Sequence, residues 1–339
     1  MRYALLTPTF FPHSGIDRAV EGQAKMLKSQ GHEVTVFCFA GATPLGNIPF
    51  VAWGMPQSIL WQRIFRLCFF LHRKKIATMA KDLRDMDAIL CHFYPMSVIG
   101  LYMKRNYRKK FIYYEYGVPP VSTFNGMVEK LYITFFKPLA RYYAKRADKI
   151  IAISKFLAEQ YPSPVRSRVE VEHVQIDTHR FHSGINGQRI RALYGLEKEP
   201  VVLYVGRLSP HKGIHLLIQA FSLCRQKFPY ARLLIVGQSS FVSYKKRLEK
   251  ISDSSVIFAG FVPDGELPEY YAASTVYATA SLWEGYDMPL AEAQACGKRV
   301  VAFDVGSHRE VIDQNGILVT RNDIHAFSQA LIKQISHVS

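Results

Sequence analysis

The sequence predicts an α/β chain made of two doubly wound parallel domains, and three observations carry that prediction. Short apolar runs of strand length alternate with helical stretches, so that strand, helix and strand follow one another. The chain has 339 residues, more than a single domain usually holds. A polar, glycine-containing stretch, His182-Ser-Gly-Ile-Asn-Gly-Gln, separates two such series, which sets the domains at 1–184 and 185–339.

In chain order, Tyr3 to Thr7 reads as a buried strand and leads into a loop through His13, Ser14 and Gly15. Ala19, Ala24, Met26 and Leu27 mark a helix over 16–29 closed by Gly31, and Val34 to Phe39 is the next strand. In such sheets ligands sit beyond the carboxyl ends of strands, which is where Gly15 falls. Ala88 to His92, Phe111 to Tyr114, Lys149 to Ser154 and Val169 to Ile176 continue the first sheet, with Ser154 as a helix cap. Val201 to Val205 starts the second series, turns at Gly206 and enters a helix near Gly213. Leu233 to Gly237, Val256 to Gly260, Thr275 to Ala278 and Arg299 to Phe303 follow as strands.

Charge is unevenly spread. Lys and Arg number 43 against 27 Asp and Glu; residues 1–185 hold 26 basic and 13 acidic residues, and the rest hold 17 and 14. The first half thus carries +13 and the second +3, which points to an anionic partner of the first half. Nucleic acid is not that partner, since no helix-turn-helix, finger or RNP pattern is present. Cys38, Cys68, Cys91, Cys224 and Cys296 are scattered without metal-type pairing, the usage of a reducing compartment. The opening Met-Arg-Tyr-Ala-Leu-Leu-Thr-Pro is broken too early for a signal peptide, and no apolar run reaches the ~18 residues that span a bilayer. A cytoplasmic protein is expected.

Two stretches carry chemistry. Over 281–297 the carboxylates Glu284 and Glu292 stand on either side of a helix start, with Asp287 as N-cap, Met288, Pro289 and Leu290 in the first turn, and Gly297 as the stop. Two acceptors beside free helix N–H groups suit a polyhydroxylated ligand with an anionic tail. Over 206–213, Gly206 permits close backbone approach, and Arg207 and Lys212 place a guanidinium fork and an ammonium at the mouth of the sheet, a receptor for a diphosphate. The spacing is not that of a Walker loop.

The runs at 202–221 and 281–297, the latter with Glu-x7-Glu, resemble the retaining GT-B glycosyltransferases of family 4, the glycosyl transferases of group 1. Gly260-Phe-Val262, Ile151-Ala-Ile-Ser154, Asp177-Thr-His-Arg-Phe181 and Asn315-Gly-Ile-Leu-Val319 are similar as well. The resemblance implies two Rossmann-like domains facing across a cleft, the second holding a UDP- or GDP-linked sugar. It implies that Arg207 and Lys212 bind the diphosphate and stabilise the leaving nucleotide, so that no metal or other cofactor is needed. Glu292 would accept from ribose hydroxyls and Glu284 from the sugar, and N–H groups from Asp287 to Leu290 would meet sugar and phosphates. Val262 would touch the base, and Gly15 would let the first loop close over the diphosphate.

Departures from the family pattern are Ser14-Gly15 for a glycine pair, Val174-Gln175 for Asn-Gly, and Asp287 for a frequent glycine. Tyr116 stands where a histidine is common, so Tyr116, Glu115 and His13 are candidates for acceptor or sugar contact. Relatives commonly carry a further helix, crossing back to the first domain, beyond the point that corresponds to Ile332. These departures motivate an alternative, a catalytically silent sugar-nucleotide-binding or membrane-associated subunit; a nucleotide-sugar epimerase fits the Glu-x7-Glu pattern less well.

The stretch Trp61 to Lys75 is aromatic and basic together. As one helix it would align Trp61, Ile64, Phe65, Cys68 and Leu71, with Arg63, Arg66, Arg73, Lys74 and Lys75 mostly off that face, an arrangement that suits an anionic membrane surface. Met127 to Lys149 is a second such stretch. The sequence therefore predicts hexosyl transfer to a lipid-linked glycan or other membrane-associated acceptor, by a protein peripheral on the inner face of the membrane.

Overall fold

The computed structural model describes residues 1–11, 15–41, 48–124, 126–239 and 242–337. His13 lies outside them. The chain forms two compact units, 1–175 and 176–339.

The first unit runs β1 (Arg2–Phe10), α1 (Gly15–Ser29), β2 (Glu33–Gly41), β3 (Phe50–Ala52), α2 (Ile59–Leu67), α3 (Arg73–Lys81), β4 (Ala88–His92) and α4 (Met96–Tyr107). It continues with β5 (Lys110–Glu115), α5 (Met127–Ala144), β6 (Lys149–Ala152), α6 (Lys155–Ala158), α7 (Ser163–Arg166) and β7 (Val169–Val171). The strands form one parallel sheet in the order β3-β2-β1-β4-β5-β6-β7. Leu5, Val36 and Leu90 pack on one face, and Ala4, Phe37, Ile89 and Phe111 on the other. Both faces are covered, which is why the strands read as unbroken apolar runs.

The second unit runs α8 (Gln188–Leu193), β8 (Val201–Val205), α9 (Ile214–Cys224), β9 (Arg232–Val236), α10 (Val242–Ile251), β10 (Val256–Gly260) and α11 (Leu267–Ala273). Then come β11 (Val276–Thr279), α12 (Met288–Ala295), β12 (Arg299–Phe303), α13 (His308–Val311), β13 (Ile317–Val319) and α14 (Ile324–Ser336). Its parallel sheet has the order β10-β9-β8-β11-β12-β13. Each sheet with its helix layers is a Rossmann-like domain, as the sequence predicts.

The segment after Gln175 belongs to the second unit, so the units meet upstream of the expected 184/185. The reason is Phe181, which is 3% exposed and packs on Tyr271 with ring centroids 5.8 Å apart. Arg180 adds an ion pair to Asp264 at 2.5 Å. The strand expected over 169–176 ends at Val171. The edge strands β3 and β13 have three residues each, too few to show a period, and were not read as strands.

The single helix expected over Trp61 to Lys75 is broken. α2 gives way to a 3-10 turn at Phe69–Leu71, and His72 leaves helical geometry at φ −81°, ψ 54°. The break lets the Lys75 ammonium donate to Gly54 O at 3.1 Å while lying 4.8 Å from the centre of the Phe65 ring. Phe65 and Phe69 are buried against Phe39.

Phe181→Ala should cost about 3–5 kcal/mol in the second unit, the usual loss for a buried aromatic. Chemical denaturation followed by hydrogen exchange should find that unit loosened and protection in 1–175 unchanged. Equal loss in both units would contradict the boundary at 175/176.

Candidate functional site

Strand order reverses between β8 and β11 in the second sheet, where Val202 pairs with Val276 and Leu203 with Tyr277. Ligands of open parallel sheets bind at such a reversal, beyond the carboxyl ends. The two stretches singled out in the sequence leave from those two strand ends.

The loop after β8 closes with a turn at Pro210–Lys212 and enters α9 through Gly213 at φ +63°. A Cβ on Gly213 would lie 1.9 Å from Ala280 O, so only glycine lets this loop rest on the one after β11. Leu282 N–H donates to His211 O at 2.8 Å. This contact brings Lys212 to Glu284, with the ammonium 2.5 Å from Oε1. Glu284 is buried and Lys212 half-buried, while Arg207 is exposed and its guanidinium has no hydrogen-bond or ion-pair partner among the described residues. Gly206 leaves β8 at φ +153°.

Asp287 caps α12 as expected, accepting from Leu290 N–H at 3.2 Å, and Pro289 lies in the first turn. The helix ends in a Schellman turn, with Gly297 N–H donating to Gln294 O and Lys298 N–H to Ala293 O. The expectation that N–H groups through Leu290 face a ligand needs correction. Pro289 has none and Leu290's is taken by the cap, so within the first turn only Met288's can turn outward. Glu292 is 1% exposed, with Oε2 accepting from the Tyr271 hydroxyl at 2.8 Å. Val262 is buried in the core with Val205 and Val236, whereas its neighbour Phe261 is 42% exposed.

His308 was not singled out from the sequence, where it reads as part of a Gly-Ser-His turn after a strand. Its Nδ1 lies 2.6 Å from Phe303 O, which can only accept, so Nδ1 carries a proton. Its Nε2 lies 3.1 Å from Asp287 Oδ2, so imidazole and carboxylate hold a further proton between them. Burial opposes charge on both. The hydrogen bond and charge of Asp287, with help from Glu284, nevertheless hold His308 above its ordinary pKa. For Asp287 the hydrogen bond and charge of His308, and the charge of Lys212, likewise prevail over burial and hold it low. The same turn supports Glu284, because Ser307 N–H donates to Glu284 O at 3.2 Å, and a Cβ on Gly306 would lie 2.1 Å from that oxygen.

Glu284, Asp287 and His308 bring potential metal-ligating atoms within 4.8 Å of one another. Lys212 is already bound to Glu284 and His308 to Asp287, so the donor set fits an internal ammonium better than an ion that would have to displace it.

In the first unit, Asp17 ties the start of α1 to the end of β1, its carboxylate accepting from Phe11 N–H at 3.1 Å and the Thr9 hydroxyl at 3.4 Å. Gly15 is the first residue of α1. Tyr116 stands just beyond β5, and its hydroxyl lies 2.8 Å from Nδ1 of His92, a fully buried residue at the end of β4. A histidine of the neighbouring strand thus holds the hydroxyl of the tyrosine that stands where the family resemblance leads one to expect a histidine. His92 Nε2 has no hydrogen-bond partner among the described residues, and burial drives its pKa down to about 3, so the ring is neutral at ordinary pH. Glu115 accepts from Gly117 N–H at 2.7 Å and from the Tyr161 hydroxyl.

The basic stretch is sorted by the fold. Trp61 is 61% exposed, and Ile59, Leu60, Ile64 and Leu71 are exposed too, while Phe65 is core. Arg73 and Lys74 face solvent and Arg63 pairs with Glu129 on α5 at 3.4 Å. Arg66 does not belong to a surface cation row: its Nε is buried without a partner among the described residues and its Nη2 lies 3.7 Å from Met55 Sδ. Lys75 is likewise engaged inward. On α5, Met127 (84% exposed), Val128, Leu131, Phe135 and Tyr142 present a further apolar stripe.

Two family models match the chain: glycosyltransferase family 4 over 13–180, and glycosyl transferases group 1 over 187–337. The O-antigen chain mannosyltransferase B of Escherichia coli is 30% identical over 146 residues, 42% of this chain and 38% of that protein. A GDP-mannose-dependent alpha-(1-6)-phosphatidylinositol monomannoside mannosyltransferase of Mycolicibacterium smegmatis is 30% identical over 214 residues, 57% of this chain and 56% of that protein. The matches thus span about two fifths and just over half of these relatives. Anabaena HepE, in complex with UDP and glucose, superposes with a TM-score of 0.79 at 23% identity, covering 99% of this chain and 89% of that one.

The Asp287–His308 pair gives the second unit a pH window. Asp287, with its lowered pKa, contributes stability above its unfolded value near 3.8 that is lost as pH falls through the folded value. His308, with its raised pKa, contributes stability below its unfolded value near 6.5 that is lost as pH rises through the folded value. Thermal unfolding at stepped pH should show a maximum between these limits, flattened in Asp287→Ala. At pH 6 that variant should lose roughly 2–4 kcal/mol, a cap plus a buried partner. An unchanged pH profile would refute the pairing.

Proposed function

The chain belongs to the glycosyltransferases of group 1, and we propose that it transfers a hexosyl group, with retention and without a metal, from a UDP- or GDP-linked sugar to a lipid-linked or other membrane-associated glycan. The observation that carries this reading is the Lys212–Glu284 contact at the reversal of strand order, on the loop that also carries the exposed Arg207. In this reading a diphosphate draws Lys212 from Glu284 and engages Arg207, so that two cations stabilise the departing nucleoside diphosphate. Glu284, released from the ammonium, accepts from sugar hydroxyls, and Glu292 holds the ribose. Among the described residues of the first unit no carboxylate stands out as a nucleophile, and the proposal is front-face transfer in which the leaving phosphate takes the acceptor proton. Phe261, exposed at the end of β10, takes the base contact expected of Val262. The donor is supported by relatives that use GDP-mannose or hold UDP and glucose.

Membrane association rests on the exposed apolar residues of α2 and α5 beside Arg73 and Lys74. Such a surface suits the boundary of an anionic leaflet, with the protein peripheral on its cytoplasmic side. Among the described residues no helix is long and apolar enough to cross a membrane.

Calorimetric titration in chelator with UDP-glucose, UDP-N-acetylglucosamine, GDP-mannose and the free diphosphates should give saturable binding of one donor, lost in Glu292→Gln. Binding of none would favour a silent subunit. Lys212→Ala should lower kcat by roughly 100-fold or more, about 3 kcal/mol of transition-state stabilisation. Wild-type turnover would remove Lys212 from the mechanism. Reversing Arg73 and Lys74 to Glu should release the protein from anionic vesicles without touching donor hydrolysis; unchanged sedimentation would remove these two α3 cations from any membrane contact.

A further inference from the structure

A shallow recess opens in the first unit beside Glu115. Only about 20 Å³ of it is enclosed and the rest is open mouth, and Glu115, Gly117, Lys137, Arg141, Gln160 and Tyr161 line it. Lys137 and Arg141 sit one helical turn apart on α5, so their side chains enter the recess from the same face. Like charges at this spacing repel unless something anionic lies between them. Arg141 is aimed by a hydrogen bond from Nη2 to Gln160 Oε1 at 3.0 Å. Lys137, half-buried, has no hydrogen-bond or ion-pair partner among the described residues.

Glu115 offsets only one of the two charges. It accepts from Gly117 N–H and from the Tyr161 hydroxyl, and among the described residues neither cation forms a direct ion pair with it. Burial first, and then the charge of Arg141, lower the pKa of Lys137, while Glu115 raises it. The recess therefore holds two cations against one carboxylate, a small net positive charge that suits an oxyanion.

We propose that this recess binds a phosphate ester carried by the acceptor, with the Arg141 fork and the Lys137 ammonium on its oxygens. The proposal rests on the transferase reading only in giving the ligand to the acceptor. A phosphodiester, with its single charge, matches two cations offset by one carboxylate. The +13 charge of residues 1–185 draws such a ligand towards this unit. Glu115 sets the strength: its charge keeps the grip weak enough for a product to leave.

The test is calorimetric titration of inorganic phosphate into the full chain and its variants. Lys137→Gln and Arg141→Gln should each weaken binding at least tenfold, Lys137→Arg should retain it, and Glu115→Gln should tighten it several-fold. Lys246→Gln, an exposed residue of the other unit, should leave this binding unaltered. Unchanged phosphate affinity in Lys137→Gln and Arg141→Gln, or loss of it in Lys246→Gln, would overturn the proposal. Sedimentation with phosphatidylcholine vesicles containing phosphatidic acid separates the two sources of the phosphate. Capture lost in Lys137→Gln assigns the recess to a lipid headgroup; unchanged capture, with the calorimetric loss intact, assigns it to a soluble ester. Nucleoside diphosphate titrations run alongside keep the two readings apart. Nucleotide binding without phosphate binding at Lys137 sinks the recess alone, and the reverse sinks the transferase reading alone.

Discussion

The second unit is arranged around one backbone pairing, β8 beside β11, where the sheet changes direction. Two loops far apart in the chain leave from neighbouring strand ends because of it. Their approach is limited by Gly213, where any side chain would collide with the backbone at Ala280. Once the loops touch, Lys212 and Glu284 have little choice but to meet. A buried carboxylate without a partner is costly, and a half-buried ammonium at 2.5 Å removes most of that cost. The functional group pairing is thus a consequence of strand order.

The same unit buries Asp287, Glu292 and His308 as well, and each has a named partner. Asp287 serves twice, capping α12 with one oxygen and holding His308 with the other. His308 in turn is fixed by Phe303 O at the end of β12. A chain of hydrogen bonds therefore runs from a strand end through an imidazole and a carboxylate to a helix start. Such a network holds Glu284 and the first turn of α12 in place before any ligand arrives, which limits the reorganisation that binding requires.

The first unit handles charge differently. Its excess of Lys and Arg is divided into three environments. Arg66 and Lys75 turn inward and support the packing around Phe65, as a long aliphatic stem permits. Arg73 and Lys74 stay in water beside the exposed apolar residues of α2. Lys137 and Arg141 enter a recess. Net charge measured along the sequence averages over these environments.

Most of the architecture was legible in the chain. Strands buried on both faces read as apolar runs, and Ala88–His92, Val201–Val205, Val256–Gly260 and Arg299–Phe303 fall where those runs lie. The caps at Ser154 and Asp287 and the stop at Gly297 were legible because each depends on local backbone chemistry. What the sequence by itself determined was the class of fold, the family, and the residue types gathered at the second sheet's reversal. The tertiary structure alone decided that Val262 is core while Phe261 is exposed and that the stretch from Trp61 to Lys75 breaks at His72. It also decided that His308 and His92 stand against Asp287 and Tyr116. The physical reason is range: periodicity and capping act within a few residues, whereas partners twenty or more residues apart are chosen by which strand ends the sheet sets side by side.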